Sequence, residues 1–581
     1  MKANAEFGVR NAELNSKSRA SRASEAPQLS PVEVRPLMKA SDLFVRQLEE
    51  EGVEYIFGLP GEENLDFLES LRTSKIKLIV TRHEQTAAFM AATYGRLTGK
   101  AGVCFSTLGP GATNLVTGVA HAQLIGAPLV SISGQKALRE NRQARFQLID
   151  VVGIMRPITK QSISINDPGM IPTILRNAFK LAQAERPGAV HVELPEDVAA
   201  SHTTSGVQKR GHVRRPAPDA EAIEKAAALI NEAGRPLILI SSGANRKLIT
   251  KQLEAFIEKT GIYAVHTQMG KGVLSDDSPY SLFAAGIHRR DYVNCGIDRA
   301  DLVITVGYNI VEYPPSVWNG ALDKKIVNID FVEAETDKYY NPAVEVIGDV
   351  SESLRQLGEK VRPKKDGEAF KAIRKFLSSK LTVEPGASYP LKPQEVVGHV
   401  RNVLGADDIL TLDNGIYKLW FSRLYKTYEP NTFILDNAFA TMGAGFPAGL
   451  AAKMLHPDKK VLAVVGDGGF MMNSREVETA LRYNIPLVTL ILNDNAYGFI
   501  KWEQQAKGFR NFALDYSNPD FVKYAESYGA VGLRVNRGDN LSDVLHDAFS
   551  RKQPVLIECP IDYSMNFETF SKELSNISCE C

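Results

Sequence analysis

Short apolar runs alternate with longer segments of helical periodicity along most of the chain. From position 36 onward the apolar runs include VEYIFGLPG, IKLIVTRHE, AGVCFSTLGPG and APLVSISG, each of which ends in a turn-forming or charged residue. Runs of this kind are typical of buried strands in a parallel sheet, and the periodic segments between them are typical of crossover helices. The pattern therefore predicts an α/β fold with a doubly wound parallel sheet.

The same alternation occurs three times. A stretch rich in Lys, Arg and Pro, SHTTSGVQKRGHVRRPAPDA, separates the first unit from the second, and the pattern fades again before the third. A chain of 581 residues is too long for one hydrophobic core, which agrees with several domains. We predict three doubly wound parallel-sheet domains over 36–200, 216–360 and 388–564, with a disordered N-terminal tail over 1–35 and a C-terminal tail over 565–581.

Charge and hydropathy exclude several classes of partner. Lys plus Arg and Asp plus Glu both number 68, so the whole chain has no net field for nucleic acid or an anionic membrane. No apolar run reaches membrane-spanning length, and the first residues lack a secretory apolar region. We expect a cytoplasmic protein with a small-molecule partner, no nucleic acid and no membrane. Targeting of an organelle by the Ser-, Ala- and Arg-rich tail is the less favoured alternative.

Two polar motifs follow neighbouring apolar runs in the third unit. GDGG at Gly466–Gly469 ends one predicted strand, and NDN at Asn493–Asn495 ends the next. The carboxyl ends of parallel strands share one edge of a sheet, so Asp467 and Asp494 are expected to be neighbours. Two acidic oxygens beside a glycine-rich turn suit a hard cation and a phosphate group. Alternatively, GDGG is only a turn and NDN only a strand-end cap.

GDGG followed by NDN resembles the signature of thiamine-diphosphate-dependent enzymes. The resemblance implies that Mg²⁺ is held on the diphosphate by Asp467, Asp494 and the carbonyl oxygen of Ala496. It also implies that the cofactor contacts the glycines Gly466, Gly468 and Gly469. Many relatives have Asn where Asp494 stands, and since either residue provides an oxygen, the ligand role survives the change.

Three further segments resemble the same family. RHEQTAAFMA contains Glu84, which the resemblance implies hydrogen-bonds the aminopyrimidine ring, so that the ring can remove the proton from thiazolium C2. TMGAGFPAG points to Met442 as the apolar residue that holds the cofactor in its bent form. STLGPGATN places Gly109 in the loop near the reacting carbon, although Leu108 stands where many relatives carry Ser. Without the resemblance, Glu84 is equally a capping or ion-paired group and Met442 ordinary core.

The resemblance also implies an assembly. Enzymes of this family bind the cofactor between the glutamate domain of one subunit and the metal domain of another, so a homodimer is the minimum active unit and a homotetramer is also compatible. The three predicted domains become a pyrimidine-binding domain, a central domain and a diphosphate-binding domain.

Within the family the chain is most similar to acetolactate synthases. FQLIDVVGIMRPITK resembles their substrate-channel segment and makes Phe146, Gln147 and Lys160 candidate channel residues, although each could equally be structural. Biosynthetic relatives hold FAD partly through an Arg-Phe-Asp-Asp-Arg run, where this chain has VGYNIVEYPPSVWNG, similar to the catabolic, flavin-free type. We therefore expect thiamine diphosphate and Mg²⁺ but no bound FAD. The resemblance also implies a different acceptor pocket, since Gly415-Ile416-Tyr417 and Glu503 depart from the biosynthetic pattern.

These resemblances imply a carboligase that condenses two pyruvates to 2-acetolactate with release of CO₂. One alternative is a decarboxylase or lyase that acts on another 2-oxo acid or 2-hydroxyacyl compound, because one scaffold hosts several reactions. Another is a catalytically silent regulatory homologue. The presence of Glu84, Asp467 and Asp494 together disfavours the silent homologue, which has no chemical need for all three.

Overall fold

The structure of the protein is a computed structural model, and it describes residues 36–140, 146–211, 215–247, 249–286, 290–364, 367–574 and 577. The tail predicted over 1–35 lies outside these residues. Within the described residues the chain forms three six-stranded sheets in which every pairing is parallel, and one two-stranded antiparallel ribbon. Helices cover both faces of the sheets, because the strands are apolar on both sides and cannot face water.

The first domain has the strand order β3-β2-β4-β5-β7-β6 in its six-stranded sheet, and β1 pairs with β8 in the ribbon. Its strands are β1 (Met38–Lys39), β2 (Tyr55–Gly58), β3 (Lys77–Val80), β4 (Gly102–Ser106), β5 (Leu129–Gln135), β6 (Gln161–Ser164), β7 (Ala189–Pro195) and β8 (His202–Thr203). Its helices are α1 (Ala40–Glu50), α2 (Leu65–Arg72), α3 (Glu84–Thr98), α4 (Pro110–Ile125), α5 (Val151–Met155), α6 (Ile171–Gln183) and α7 (Glu196–Ala200). Strands β4, β5 and β7 are buried along their whole length.

The central domain has the order β11-β10-β9-β12-β13-β14. Its strands are β9 (Pro236–Ile240), β10 (Tyr263–His266), β11 (Ser281–Ala284), β12 (Leu302–Val306), β13 (Lys325–Asp330) and β14 (Val344–Ile347). Its helices are α8 (Ala220–Glu232), α9 (Ser242–Lys247), α10 (Thr250–Thr260), α11 (Asn294–Arg299), α12 (Pro315–Trp318) and α13 (Val350–Lys360), and α14 (Glu368–Leu381) follows them.

The third domain has the order β16-β15-β17-β18-β20-β19. Its strands are β15 (Ile409–Leu412), β16 (Phe433–Ile434), β17 (Val461–Gly466), β18 (Val488–Asn493), β19 (Val531–Arg534) and β20 (Val555–Pro560). Its helices are α15 (Pro393–Val403), α16 (Tyr417–Leu424), α17 (Gly445–Leu455), α18 (Asp467–Asn473), α19 (Val477–Arg482), α20 (Gly498–Ala506), α21 (Phe521–Tyr528) and α22 (Leu541–Ser550). The predicted C-terminal tail contains a π-helical segment, Phe567–Glu573, whose Phe570 ring packs 4.8 Å from that of Trp420.

The three parallel-sheet domains predicted from the sequence are confirmed, and each predicted range contains one six-stranded sheet. The exact boundaries stay predictions. The first and third domains are joined where α3 packs against α17. The Thr86 hydroxyl donates to the Asn473 side chain at 3.0 Å, and the backbone N–H of Arg82 donates to the buried Glu476 carboxylate.

None of the helices in the described part of the chain combines the length and the apolar character needed to cross a membrane.

Candidate functional site

A cavity of about 230 Å³ opens at the carboxyl ends of β15, β17 and β18. This is the edge at which ligands bind in doubly wound folds. The register pairs Gly466 with Leu492, so the residues that follow the two strands emerge side by side. The predicted site residues in its wall are Met442, Gly466, Asp467, Gly468, Gly469, Asp494 and Ala496.

Asp467 begins α18 and is 2% exposed. Its Oδ1 accepts hydrogen bonds from the Gly468 N–H at 2.8 Å and from the Tyr516 hydroxyl at 2.9 Å. Its Oδ2 accepts from the Asn495 N–H at 2.8 Å and from the Asn518 amide at 2.7 Å. Burial raises the pKa of Asp467, and these four donors oppose the rise. The structure therefore holds the carboxylate in one orientation between the two motifs.

Asp494 also lines the cavity and follows immediately after β18. Burial and the neighbouring Asp467 carboxylate raise the pKa of Asp494 to about 7. Asn495 then adopts a left-handed backbone conformation with φ of 54°, and the carbonyl oxygen of Ala496 accepts from the Tyr516 hydroxyl at 3.1 Å. Two carboxylates and a carbonyl oxygen form a set of oxygen ligands that suits a hard divalent cation. Such a cation would also relieve the repulsion between the two carboxylate charges.

The glycines of the site leave room that other residues would fill. A Cβ at Gly468 would lie 2.6 Å from the Tyr516 hydroxyl, and a Cβ at Gly469 would lie 2.1 Å from Oδ2 of Asp413. The Asp413 carboxylate in turn accepts from the Gly443 N–H at 2.9 Å, and burial raises the pKa of Asp413 to about 6. The close approach of these segments explains why glycine is needed at both positions in the first turn of α18.

The donor set fits Mg²⁺ bound through a diphosphate better than a metal held by protein alone. Among the described residues no group of three or more His, Cys, Asp or Glu side chains could hold a metal ion. Asp467, Asp494 and the Ala496 carbonyl would leave several positions of an octahedral ion for phosphate oxygens and water, which is the usual arrangement for this cation. The cavity beside them and the start of α18 suit the phosphate groups.

Glu84 begins α3 in the first domain and is 5% exposed. Its Oε2 accepts from the Asn114 amide at 3.0 Å. A Cβ at Gly111 would lie 3.2 Å from its Oε1, so the glycine loop packs against the carboxylate. The cavity that holds Asp467 is lined only by residues from Asn414 onward. A single chain therefore does not bring Glu84 into the wall of that cavity.

Gly109 and two of the candidate channel residues lie together in the first domain. Gly109 has φ of 50°, and a Cβ there would lie 2.5 Å from the carbonyl oxygen of Gln147. Gln147 itself has φ of 61°, and the neighbouring Phe146 side chain is 77% exposed. The predicted channel segment thus covers the glycine loop and presents a large apolar side chain to the surface.

Lys160 does not line the cavity. Its ammonium group donates to the carbonyl oxygens of Ala184 at 2.9 Å and Arg186 at 2.8 Å, beyond the end of α6. These contacts fix the connection between α6 and β7. A role for Lys160 in a substrate channel stays a prediction, and its observed hydrogen bonds are structural.

Several site residues were not found by sequence reasoning. Tyr516 and Asn518 hold Asp467 from the loop before α21, and the Tyr417 hydroxyl accepts from the Gly466 N–H at 2.8 Å. Lys418 also reaches the cavity wall. No periodicity or motif marks the loop residues. The sequence had placed Tyr417 in the acceptor-pocket segment but without its hydrogen bond to Gly466, and for Lys418 the only available signal was its position next to Tyr417, after a buried strand.

Comparison with known proteins places these features in one family. Models of thiamine pyrophosphate enzymes match the chain in all three domains: the N-terminal TPP-binding domain over residues 38–154, the central domain over 223–357 and the C-terminal TPP-binding domain over 413–559.

Individual relatives cover nearly the whole chain. An acetolactate synthase of Bacillus subtilis is 35% identical over 545 residues, which span 92% of this chain and 95% of that protein. A probable acetolactate synthase large subunit of Methanococcus aeolicus is 34% identical, over 91% of this chain and 92% of that protein. A catabolic acetolactate synthase of Raoultella terrigena is 31% identical, over 92% of this chain and 97% of that protein.

Proposed function

The chain belongs to the thiamine-diphosphate-dependent enzymes, of the acetolactate synthase type, and we propose that it condenses two pyruvates to 2-acetolactate with release of CO₂. The observation that carries the proposal is that Asp467 and Asp494 line one cavity, beside the glycine-rich start of α18. The relatives that are acetolactate synthases support 2-acetolactate as the product.

We propose that Asp467, Asp494 and the Ala496 carbonyl hold Mg²⁺, and that Gly466, Gly468 and Gly469 contact the diphosphate. Met442, half-buried in the cavity wall, is proposed to support the bent cofactor. When bound, thiamine diphosphate supplies a carbanion nucleophile for a keto carbon and accepts the electron pair released with CO₂. The protein supplies orientation, charge balance and the exclusion of water.

We assign proton transfer to Glu84. Asn114 and the packed glycine loop hold its carboxyl group in one place, as a general acid–base group requires. Glu84 does not line the cavity of its own chain. We therefore propose that it acts at the cavity of a second chain, in a homodimer or homotetramer. Exposed apolar side chains near the cavity support such an assembly: Met471 and Met472 on α18 are 38% and 40% exposed, and Ile500 on α20 is 50% exposed.

We propose that FAD is not part of the enzyme. The carboxyl ends of β9, β12 and β13 form the crevice of the central domain in which a dinucleotide would bind. Tyr308 occupies this edge, with its ring 4.8 Å from that of Tyr340 and its hydroxyl accepting from the Trp318 indole at 3.0 Å. The cavity that remains has a volume of about 90 Å³. A colourless purified protein supports the proposal, and stoichiometric flavin absorption contradicts it.

Product analysis tests the proposed reaction. Purified protein is incubated with pyruvate, thiamine diphosphate and Mg²⁺, with the Asp467→Ala variant as control. We expect 2-acetolactate to exceed acetaldehyde in the wild type and neither to form in the variant. Excess acetaldehyde would identify a decarboxylase, and no consumption of pyruvate would require another 2-oxo acid. Either result would contradict the acetolactate proposal and leave membership of the cofactor family unchanged.

A further inference from the structure

Lys418 separates two cavities. It lies in the first turn of α16, is 6% exposed and lines the cofactor cavity. It also lines a second cavity of about 210 Å³ between the central and diphosphate-binding domains, whose wall includes Gln268, Glu312, Tyr313 and Asn437. Asp467 and Asp494 do not line the second cavity. Lys418 therefore lies where a molecule in the second cavity would approach the cofactor.

The Lys418 ammonium group has only neutral partners. It donates to the side-chain oxygen of Asn414 at 2.7 Å, to that of Asn437 at 3.0 Å and to the carbonyl oxygen of Asp436 at 3.4 Å. Within the described residues no carboxylate forms an ion pair with it. Lysine is rarely buried unless it is paired with an anion. A negatively charged ligand at this site would therefore supply the counter-charge that Lys418 lacks.

The nearest carboxylates already have other donors. Asp436 accepts from His121 at 3.1 Å and from the backbone of Ala438 at 2.8 Å. Glu312 accepts from the Ser241 hydroxyl at 2.9 Å, and Asp413 from the Gly443 N–H. Burial lowers the pKa of Lys418 to about 8, whereas Asp436, Asp413 and Glu312 favour its charged form. The group therefore remains mainly a cation at neutral pH.

We infer that Lys418 binds the carboxylate of the 2-oxo acid acceptor, an inference that rests on the proposed function. The donor loses its carboxylate as CO₂, so a cation that held that carboxylate would stabilise the ground state and oppose the reaction. The acceptor keeps its carboxylate. A cation at the junction of the cavities orients the acceptor keto group towards the cofactor and selects acids over uncharged aldehydes.

Binding of oxamate tests the assignment without turnover. Oxamate carries a carboxylate next to a carbonyl group, and its ethyl ester is the uncharged counterpart. With thiamine diphosphate and Mg²⁺ bound, we expect Lys418→Gln to weaken oxamate binding about ten- to a hundredfold and to leave binding of the ester unchanged, as loss of a charged hydrogen bond predicts. Lys418→Arg should restore part of the affinity. Lys426→Gln, which removes a half-buried lysine just beyond the same helix, should change neither.

The outcomes separate this inference from the proposed function. Product analysis of the wild type tests the proposed function alone. Unchanged oxamate affinity in Lys418→Gln overturns the inference. If oxamate binding is intact and the affinity for thiamine diphosphate falls tenfold, the inference is also overturned, and Lys418 is assigned to the diphosphate instead. If oxamate affinity falls while the ratio of acetolactate to acetaldehyde is unchanged, the carboxylate is not the acceptor's and the inference is wrong.

Discussion

Asp467 and Asp494 have different environments although both follow a buried strand. Four protein donors surround the Asp467 carboxylate, and one of them, the Tyr516 hydroxyl, shares its single hydrogen with the Ala496 carbonyl, so a metal ion that binds there competes with these donors. Asp494 is less constrained and is destabilised as an anion by its neighbour. The two residues are therefore not equivalent as ligands, and substitution should separate them.

Asp467→Ala should abolish Mg²⁺-dependent binding of thiamine diphosphate, because it removes a proposed ligand and the acceptor that fixes Tyr516 and Asn518. Asp494→Asn should keep binding, since the amide retains a ligand oxygen and the repulsion is gone. Titration calorimetry with and without a chelator measures both. Wild-type affinity in Asp467→Ala would contradict the metal assignment, and loss of binding in Asp494→Asn would show that the second charge is essential.

Glu84→Gln should bind thiamine diphosphate normally but lower the rate about 10²- to 10⁴-fold, as expected for loss of a general acid–base group. The amide still accepts the hydrogen bond from Asn114, so the fold should not change. Hydrogen–deuterium exchange at C2 of the bound cofactor isolates the affected step. Exchange at the wild-type rate would remove Glu84 from proton transfer, and Glu84→Asp tests whether reach matters as well as charge.

The secondary-structure elements show what the sequence could and could not predict. Strands β17 and β18 were predictable because they are continuous apolar runs, and the parallel crossover then required Asp467 and Asp494 to meet at one edge. Tyr516 and Asn518 were not predictable, because they come from an irregular loop whose position depends on tertiary packing. The second cavity was equally hidden, since its wall combines residues from two domains that are remote in sequence.

The contact between α3 and α4 sets the position of Glu84, and Gly118 on α4 allows the two helices to pack closely. A Cβ at Gly118 would lie 2.4 Å from the Cβ of Ala88. Gly118→Ala should therefore push the helices apart and cost about 1–3 kcal/mol, the usual penalty for overpacking a core. Thermal denaturation should show a lower melting temperature than for Thr117→Ala, a half-buried control on the same helix. Equal melting temperatures would mean that the helices separate without cost.

At the scale of the whole molecule, the two halves of the proposed site lie in different domains. Asp467, Asp494 and Met442 line one cavity of the third domain, whereas Glu84, Gly109 and Gln147 lie together in the first. Since one chain does not join these groups at the cavity wall, a symmetric dimer would form two sites, each with the first domain of one chain and the third domain of the other.

Mixing two inactive variants tests this arrangement. A dimer of one Glu84→Gln chain and one Asp467→Ala chain would contain one site with both substitutions and one site with neither. If subunits exchange at random, half of the dimers are mixed and each has one intact site of two, so activity should return to about one quarter of the wild-type value. A site built within a single chain would carry one substitution in every copy, and the mixture would stay inactive. Remixing Glu84→Gln with itself, through the same cycle of dissociation and reassembly, controls for activity gained by handling alone.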